Sequence, residues 1–479
     1  MRLAGGGGAR GAMRGGGAGW LANPVAWVIA GAAVLQLAVL AGIRLFAADP
    51  TGGDMCRDAV AMRRIVHGLN PYVPITGCGT LNNLPHPPAF LLLIGPFTLL
   101  PIALGALLWD LGALAAIAAS LALIARELRL TLNAWWLGLL AVLLIFWPPL
   151  LGTLLEAQIS PVLLLLCTLA WRWARAGRSV PAGIALGLAA AIRLFPGLAV
   201  LYFVVRRDWR AVLAAGAAFV VSEALALPLI GVHGYVDYLT KEAPATSAEW
   251  LINAHNVSAW GLAGMIFAGN SLAGAVVSAP GLARGFAEVL LVVLVGGLLL
   301  ATWARRARSF REDEGTFLAY LPAMLLASPL TWTHYFVLLL LPIVVLGARV
   351  GWLGTAQAGE AAPERARVAA VASGGAAGPG SGARRWLAGR MAASAAEQVV
   401  RLRWLLGAAL ALIWINDIIA RMAVPHPQSA VYGMLVLALP AYALILLCAA
   451  LLLMDMAPAK VKAGRHAWRR AARTRPAGG

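Results

Sequence analysis

Apolar residues run along this chain in blocks of about twenty, and polar residues gather in the short segments between them. The first block, Pro24–Phe46, is long enough at ~1.5 Å per residue to cross the ~30 Å hydrocarbon core of a bilayer. It is too long for the apolar region of a cleaved signal, so it reads as a retained first span. A polar island, Asp54–Pro88, follows. Asp54 to Val66 contains no Gly or Pro, and Gly68-Leu69-Asn70-Pro71 stops it. That pattern predicts a short interfacial helix begun at Asp54, in an outer loop spanning 47–86.

Beyond the island, Pro87–Ile124 is apolar with Pro96 and Pro101 inside, giving two short crossings or one broken one. Ala134–Gly152 predicts a span, and Pro161–Ala170 re-enters toward the basic Trp171–Arg178 loop. Pro181–Val205 carries Arg193 and Pro196 at its middle and has basic segments at both ends. Two half-helices broken at Arg193–Pro196 would leave both ends on the same side. Ala211–Ile230 leads out to a second polar segment, His233–Ser258. A Gly-broken apolar stretch (259–283) precedes Phe286–Trp303. Gly315–Leu330 leads to an outer turn at Thr331–Tyr335, and Phe336–Leu346 returns. Leu405–Ile419 and Tyr432–Met454 form a last pair around Pro425-His426-Pro427. The expectation is an all-α, polytopic transmembrane helix bundle of about 10–12 crossings. Residues 1–23 and 456–479 read as cytoplasmic tails, 24–348 as the core, 349–403 as an unstructured cytoplasmic loop and 404–455 as a terminal helix pair.

Composition narrows the class. Of 479 residues 61% are hydrophobic and 12% charged, about half the charged share of a soluble domain. The net charge of +18 suggests nucleic acid, but most of the basic residues lie in short loops and tails between apolar blocks. That is the positive-inside pattern of a plasma-membrane protein, with attraction to membrane lipids as a secondary effect and no nucleic-acid partner. Cys167 and Cys448 fall inside apolar blocks. Cys56 and Cys78 share the outer island, where either a loop-closing disulfide or two free thiols fits.

Ionisable groups against a bilayer are costly, so each is weighed singly. On this threading Asp54, His86, Gln158, Asn253, His255, Asn256 and His334 all reach the outer face, from separate segments. Plainer roles stand beside them. Asp54 can cap its helix and Gln158 the next one. Asn253 and Asn256 can close a turn, and His334 can sit at headgroup level beside Trp332. Arg193 needs an anion or water, and an ion pair with Glu223 or Asp110 is its structural alternative. Arg63 and Arg64 can meet lipid headgroups or an anionic substrate. There is no CxxC, HExxH or Walker sequence, so no cofactor is indicated and a divalent-metal requirement is left open.

The residues then match a family. The order Asp54, Gly68-Leu69-Asn70-Pro71-Tyr72, Pro87-Pro88, Gln158, Ala189-Ala190-Ala191-Ile192-Arg193-Leu194-Phe195-Pro196 with Arg206-Arg207-Asp208-Trp209-Arg210, Asn256-Val257-Ser258 and Ser328-Pro329-Leu330-Thr331-Trp332-Thr333-His334 resembles glycosyltransferase family 87. These are GT-C-fold membrane mannosyltransferases related to the enzyme that elongates phosphatidylinositol mannosides. The resemblance runs from about residue 20 to 348. It implies a polyprenyl-phosphate sugar donor, usually mannose, and inverting transfer to a lipid or glycan acceptor on the periplasmic side. It places the catalytic base on Asp54, a cation on Arg193, and the late outer motif on Trp332 and His334. His86 stands where a Tyr is usual, Ala157 where a Gly is, and Tyr335 where a second His is.

The chemistry of the residues agrees. An inverting displacement needs one base for the acceptor hydroxyl, and a carboxylate is already ionised for that task. The departing polyprenyl phosphate needs cations and donors, for which Arg57, Arg63, Arg64, Arg193, His86 and His334 are available. The rival from another class is a transporter or flippase for a lipid-linked or anionic substrate, favoured by the Arg193–Pro196 break. It is disfavoured by the lack of an internal repeat and by the long polar loop.

Overall fold

A computed structural model describes residues 24–46, 54–78, 84–130, 147–251, 253–353, 396–415 and 436–455 of the protein. The regular structure described is helical. Helix α1 (Pro24–Phe46) is followed by α2 (Asp54–Val66), which begins at Asp54 as the pattern predicts. The Pro87–Ile124 stretch resolves into α3 (Pro88–Thr98) and α4 (Ile102–Leu128), parted at Pro101, which cannot continue the ladder. Helices α5 (Pro148–Leu155) and α6 (Ser160–Arg175) form a pair bent by 119°, a broken span or re-entrant loop. The expected span Ala134–Gly152 falls largely outside the described residues.

Helix α7 (Ser179–Ile192) ends where Arg193 turns extended, at φ −148° and ψ 131°. A 3-10 turn at Phe195–Ala199 and the short α8 (Val200–Val205) follow, so the break expected at Arg193–Pro196 is present. Helix α9 (Trp209–Asp237) contains Pro228 and kinks at Gly231, whose φ of 73° suits glycine. A π-turn (Tyr238–Glu242) joins it to α10 (Ala243–Trp250). Then come α11 (Ala259–Phe267), α12 (Pro280–Arg305), α13 (Glu314–Ala327), a 3-10 turn (Thr333–Leu339) running into α14 (Leu340–Arg349), α15 (Ala396–Ile415) and α16 (Leu439–Met454). Helix α15 starts inside the 349–403 segment that composition alone would leave unstructured. The two tails and the Pro425-His426-Pro427 turn lie outside the described residues.

Among the described residues four helices are long and apolar enough to cross a membrane, and the bent α5–α6 pair makes a fifth. Seven shorter apolar helices are also found among the described residues. They suit a multi-pass protein in which broken backbone is shielded by neighbouring helices. Helix α13 is the axis, with every residue from Glu314 to Leu326 buried. The closest packing is between α7 and α9. A Cβ added at Gly183 or Gly187 would lie 2.1 Å from Ala211 O or 2.2 Å from Ala215 O, so this small-xxx-small face lets the backbones touch.

Buried charge is paired at both ends of the bundle. At the Arg-rich end, Glu314 receives Trp171 Nε1 at 2.7 Å, Arg349 at 2.7 Å and Arg175. Asp313 receives Arg206 at 3.1 Å and the Tyr202 hydroxyl at 3.2 Å. Nearer the other end, Arg44 of α1 is buried against Asp110 of α4, Nε to Oδ2 at 2.8 Å. It also donates to the carbonyls of Leu154 and Leu155, which close α5. Asp110 is therefore Arg44's partner and not Arg193's. Glu223 likewise takes the Tyr235 hydroxyl, at 2.9 Å.

The Cys56–Cys78 disulfide is formed, tying α2 to the end of the loop it starts. Arg64 folds back on that loop, donating to the carbonyls of Pro71, Val73 and Pro74 instead of reaching outward.

Removing one partner of a buried ion pair costs about 3–5 kcal/mol, whereas an apolar pair of similar volume can be near neutral. Arg44→Ala should therefore lower thermal stability in detergent sharply, and Arg44→Met combined with Asp110→Leu should recover much of the loss. A double variant no more stable than the single one would show that the Leu154 and Leu155 carbonyls, not the ion pair, set the cost.

Candidate active site

Helix α2 is amphipathic, and the face it buries is unusual in carrying two charges. Met55, Ala59, Met62 and Ile65 share that inward side with Arg57 and Asp58. Asp54, in the first turn, keeps 24% of its side chain exposed. Its Oδ1 accepts from Arg57 Nη2 and its Oδ2 from Gln158 Nε2. Gln158 therefore does not cap α6, which has no side-chain cap at all. Instead the bend between α5 and α6 delivers its amide to the carboxylate opening α2.

Arg193 faces the same place. The extended turn it occupies lets Nη1 donate to Pro85 O at 3.1 Å, and its guanidinium lies 5.8 Å from the Tyr335 ring centre. Its charge acts on Asp54, Asp58, His86 and His334 alike. No carboxylate forms an ion pair with it among the described residues, and its buried Nε has no hydrogen-bond partner. The cation that the chain pattern singled out is left available.

His86 is buried and stacked on Phe90 at 4.3 Å, with Nε2 3.7 Å from Asp58 Oδ1. Its carbonyl takes the Tyr72 hydroxyl at 2.9 Å. His334 is buried with Nε2 unpartnered, and its carbonyl receives Thr153 Oγ1 at 2.9 Å, which ties the late motif to α5. The Trp332 ring lies parallel to both His334 (5.9 Å, 13°) and the exposed His255 (5.7 Å, 6°), with Trp250 edge-on at 5.1 Å. These rings form a stack from the surface to the buried histidine.

Six of the residues expected from the chain thus converge: Asp54, Arg57, His86, Gln158, Arg193 and His334. Trp332 and His255 flank them. The two asparagines serve the backbone. Asn253 Oδ1 accepts from His255 N in a local turn at 2.9 Å. Asn256 uses its whole amide on main chain: Nδ2 to Trp250 O (3.0 Å) and Pro329 O (2.8 Å), and Oδ1 from Ser258 N (3.2 Å) and Thr331 N (3.1 Å). It clamps the segment around Trp250–Ser258 to Pro329 and Thr331.

Asp58 was not foreseen. It sits one helical turn after Asp54, a spacing that places both carboxyls on one side of α2, and that spacing was the available signal. Burial raises the Asp58 pKa well above the ordinary carboxylate value, and the Asp54 charge adds to this against the pull of Arg57 and Arg193. Burial also raises Asp54, opposed by Arg57, Arg193 and the Gln158 bond. For His86, burial and then the Arg193 and Arg57 charges hold the imidazole well below its usual range, so it is neutral.

Ten buried side-chain polar atoms lack a hydrogen-bond partner among the described residues, and five lie here: Arg57 Nε, Asp58 Oδ1, His86 Nδ1, Arg193 Nε and His334 Nε2. Each such group costs about 1–3 kcal/mol unless something meets it. A concentration of them at one place marks a site built for a polar ligand. Beside it opens a mostly apolar cavity of about 370 Å³, bordered by Phe195, Leu198, Met324, Ala327, Leu330 and Tyr335, with Arg193 on its wall. Among the described residues there is no group of three or more metal-ligating side chains.

Comparison with known proteins gives four findings. Residues 84–330 match the model of glycosyltransferase family 87. The polyprenol-phosphate-mannose-dependent alpha-(1-2)-phosphatidylinositol mannoside mannosyltransferase of Mycobacterium tuberculosis is 28% identical over 352 residues, 68% of this chain and 76% of that protein. The corresponding pentamannoside mannosyltransferase of Mycolicibacterium smegmatis is 30% identical over 284 residues, 56% of this chain and 65% of that protein. A solved structure of ArnT from Cupriavidus metallidurans bound to undecaprenyl phosphate aligns over 92% of this chain and 78% of that one, at 15% identity and a TM-score of 0.39.

The clamp role of Asn256 is open to test. Asn256→Ala strands two buried N–H groups and two carbonyls, at about 1–3 kcal/mol for each left unmet. It should lower the unfolding temperature strongly, while Asn253→Ala should barely move it. Equal effects would remove the distinction.

Proposed function

Because the chain belongs to glycosyltransferase family 87 and is a membrane glycosyltransferase, we propose that it moves a hexose, mannose in the first instance, from a polyprenyl-phosphate donor to a lipid or glycan acceptor. The reaction is an inverting displacement on the periplasmic side of the plasma membrane. The two mycobacterial relatives, named as polyprenol-phosphate-mannose-dependent enzymes, support the donor class.

The observation that carries this reading is the place of Arg193. Its guanidinium, with Nε unpartnered, lines the apolar cavity, and its charge acts on the Asp54 carboxylate. An amphiphile with an anionic head and an apolar tail meets both demands: phosphate oxygens accept from the guanidinium, and the first prenyl units enter the cavity. Asp54 then faces the sugar end. Its carboxylate takes the proton of the acceptor hydroxyl as that oxygen attacks the anomeric carbon and the sugar–phosphate bond breaks. The charge that develops on the leaving phosphate is met by Arg193, with Arg57 and His334 at hand. Gln158 and Arg57 keep the base oriented and ionised, and burial sharpens its affinity for a proton.

Three measurements test this. Asp54→Asn should abolish mannosyl transfer while the protein still inserts and binds donor; full activity would falsify the base. In the wild-type enzyme a base must be deprotonated, so activity should fall as pH drops through the Asp54 pKa. Because that pKa is raised, the acid limb should lie above the usual carboxylate range near 4. Arg193→Ala should weaken binding of polyprenyl phosphate itself by about ten- to a hundredfold, the scale of a charge-assisted hydrogen bond at ~1.5–3 kcal/mol. An unchanged affinity would remove Arg193 from the phosphate.

A further inference from the structure

Resting on the donor reading above, we propose that Asp58 and His86 form a subsite for a sugar hydroxyl, separate from the phosphate-facing cation of Arg193. Three observations carry it. Asp58 and His86 are both more than nine-tenths buried, at 3% and 4% exposure, and each holds an atom without a hydrogen-bond partner: Asp58 Oδ1 and His86 Nδ1. Asp58 Oδ1 and His86 Nε2 approach each other, yet at 3.7 Å the contact is too long for a hydrogen bond. And His86 is held still by the Phe90 stack, by the Tyr72 hydroxyl on its own carbonyl, and by Arg193 on the carbonyl of Pro85 next to it.

The donor and acceptor inventory selects the ligand. Arg57 and Arg193 offer only N–H donors, which suit phosphate oxygens. A carboxyl group in the same place repels phosphate when ionised, and a neutral imidazole offers one donor and one acceptor. A hydroxyl both donates and accepts. It can give its proton to Asp58 Oδ1 and at the same time accept from His86 in the tautomer that carries its proton on Nδ1. Arg193 lines the apolar cavity, and the acid–imidazole pair lies one turn along α2 from the base. Asp58 and Asp54 share a side of that helix, so a hexose whose reacting atoms meet Asp54 can place another hydroxyl at Asp58. That hydroxyl belongs either to the sugar being transferred or to the sugar receiving it.

The test uses the full-length protein in lipid nanodiscs, titrated with polyprenyl phosphate, with polyprenyl-phosphate mannose, and with octyl α-mannoside, which carries a sugar and no phosphate. Asp58→Ala should leave the affinity for polyprenyl phosphate unchanged and weaken a sugar-bearing ligand about tenfold or more. A loss on the mannosyl donor assigns the hydroxyl to the transferred sugar. A loss on octyl mannoside alone assigns it to the acceptor. Asp58→Asn, which keeps a hydrogen-bonding side chain of the same size, should fall between wild type and Asp58→Ala. His86→Phe, which retains the ring, should reproduce the selective loss even if Asp58→Ala does not fold. Variants that bind all three ligands as wild type does, or that lose all three in parallel, overturn the subsite. Wild-type protein that binds octyl mannoside in an Asp58-dependent way but neither prenyl lipid would instead overturn the donor reading and leave the subsite standing.

Discussion

The cost of placing charge in an apolar surrounding governs this structure. A chain so poor in charged residues can bury an ionisable group only where another group answers it. Most of the buried charges obey. Glu314 and Asp313 collect arginines, a tryptophan and a tyrosine at one end of the axial helix. Arg44 meets Asp110 and two helix-end carbonyls. These pairs fasten helices whose apolar surfaces, being as compatible with lipid as with each other, supply less orientation.

Against that rule the site around Asp54 stands out. Here Arg193 has a buried Nε with no hydrogen-bond partner, Asp58 a buried carboxyl oxygen with none, and two histidines each a buried nitrogen with none. Polar groups without partners are stabilised by what binds them, so a ligand carrying phosphate and hydroxyl groups would gain by meeting these. The neighbouring apolar cavity suits the remainder of such a ligand.

The irregular backbone has the same logic. The α5–α6 bend, the extended residue at Arg193, the kink at Gly231 and the turn before Thr333 interrupt helices that would otherwise pass straight through. Three of the interruptions deliver side chains to one place: Gln158, Arg193 and His334. Broken backbone is tolerated there because neighbours such as Arg44 and Asn256 take up the freed carbonyls and N–H groups.

How much of this could be read along the chain depends on the range of the interactions. The apolar blocks, the helix opening at Asp54 and the break at Arg193–Pro196 are local matters of hydropathy, capping and proline chemistry, and the sequence alone determined them. So did the set of ordered motifs that points to the family. Which charge meets which was decided only in the tertiary structure. Asp110 chose Arg44 over Arg193, Gln158 reached the Asp54 carboxylate across 104 positions, and Asn256 spent its amide on backbone. Asp58 lay in plain view at a telling spacing, but its burial and its approach to His86 depend on how α2 packs. Electrostatic partners are set by distances through space, and no periodicity along a chain encodes those.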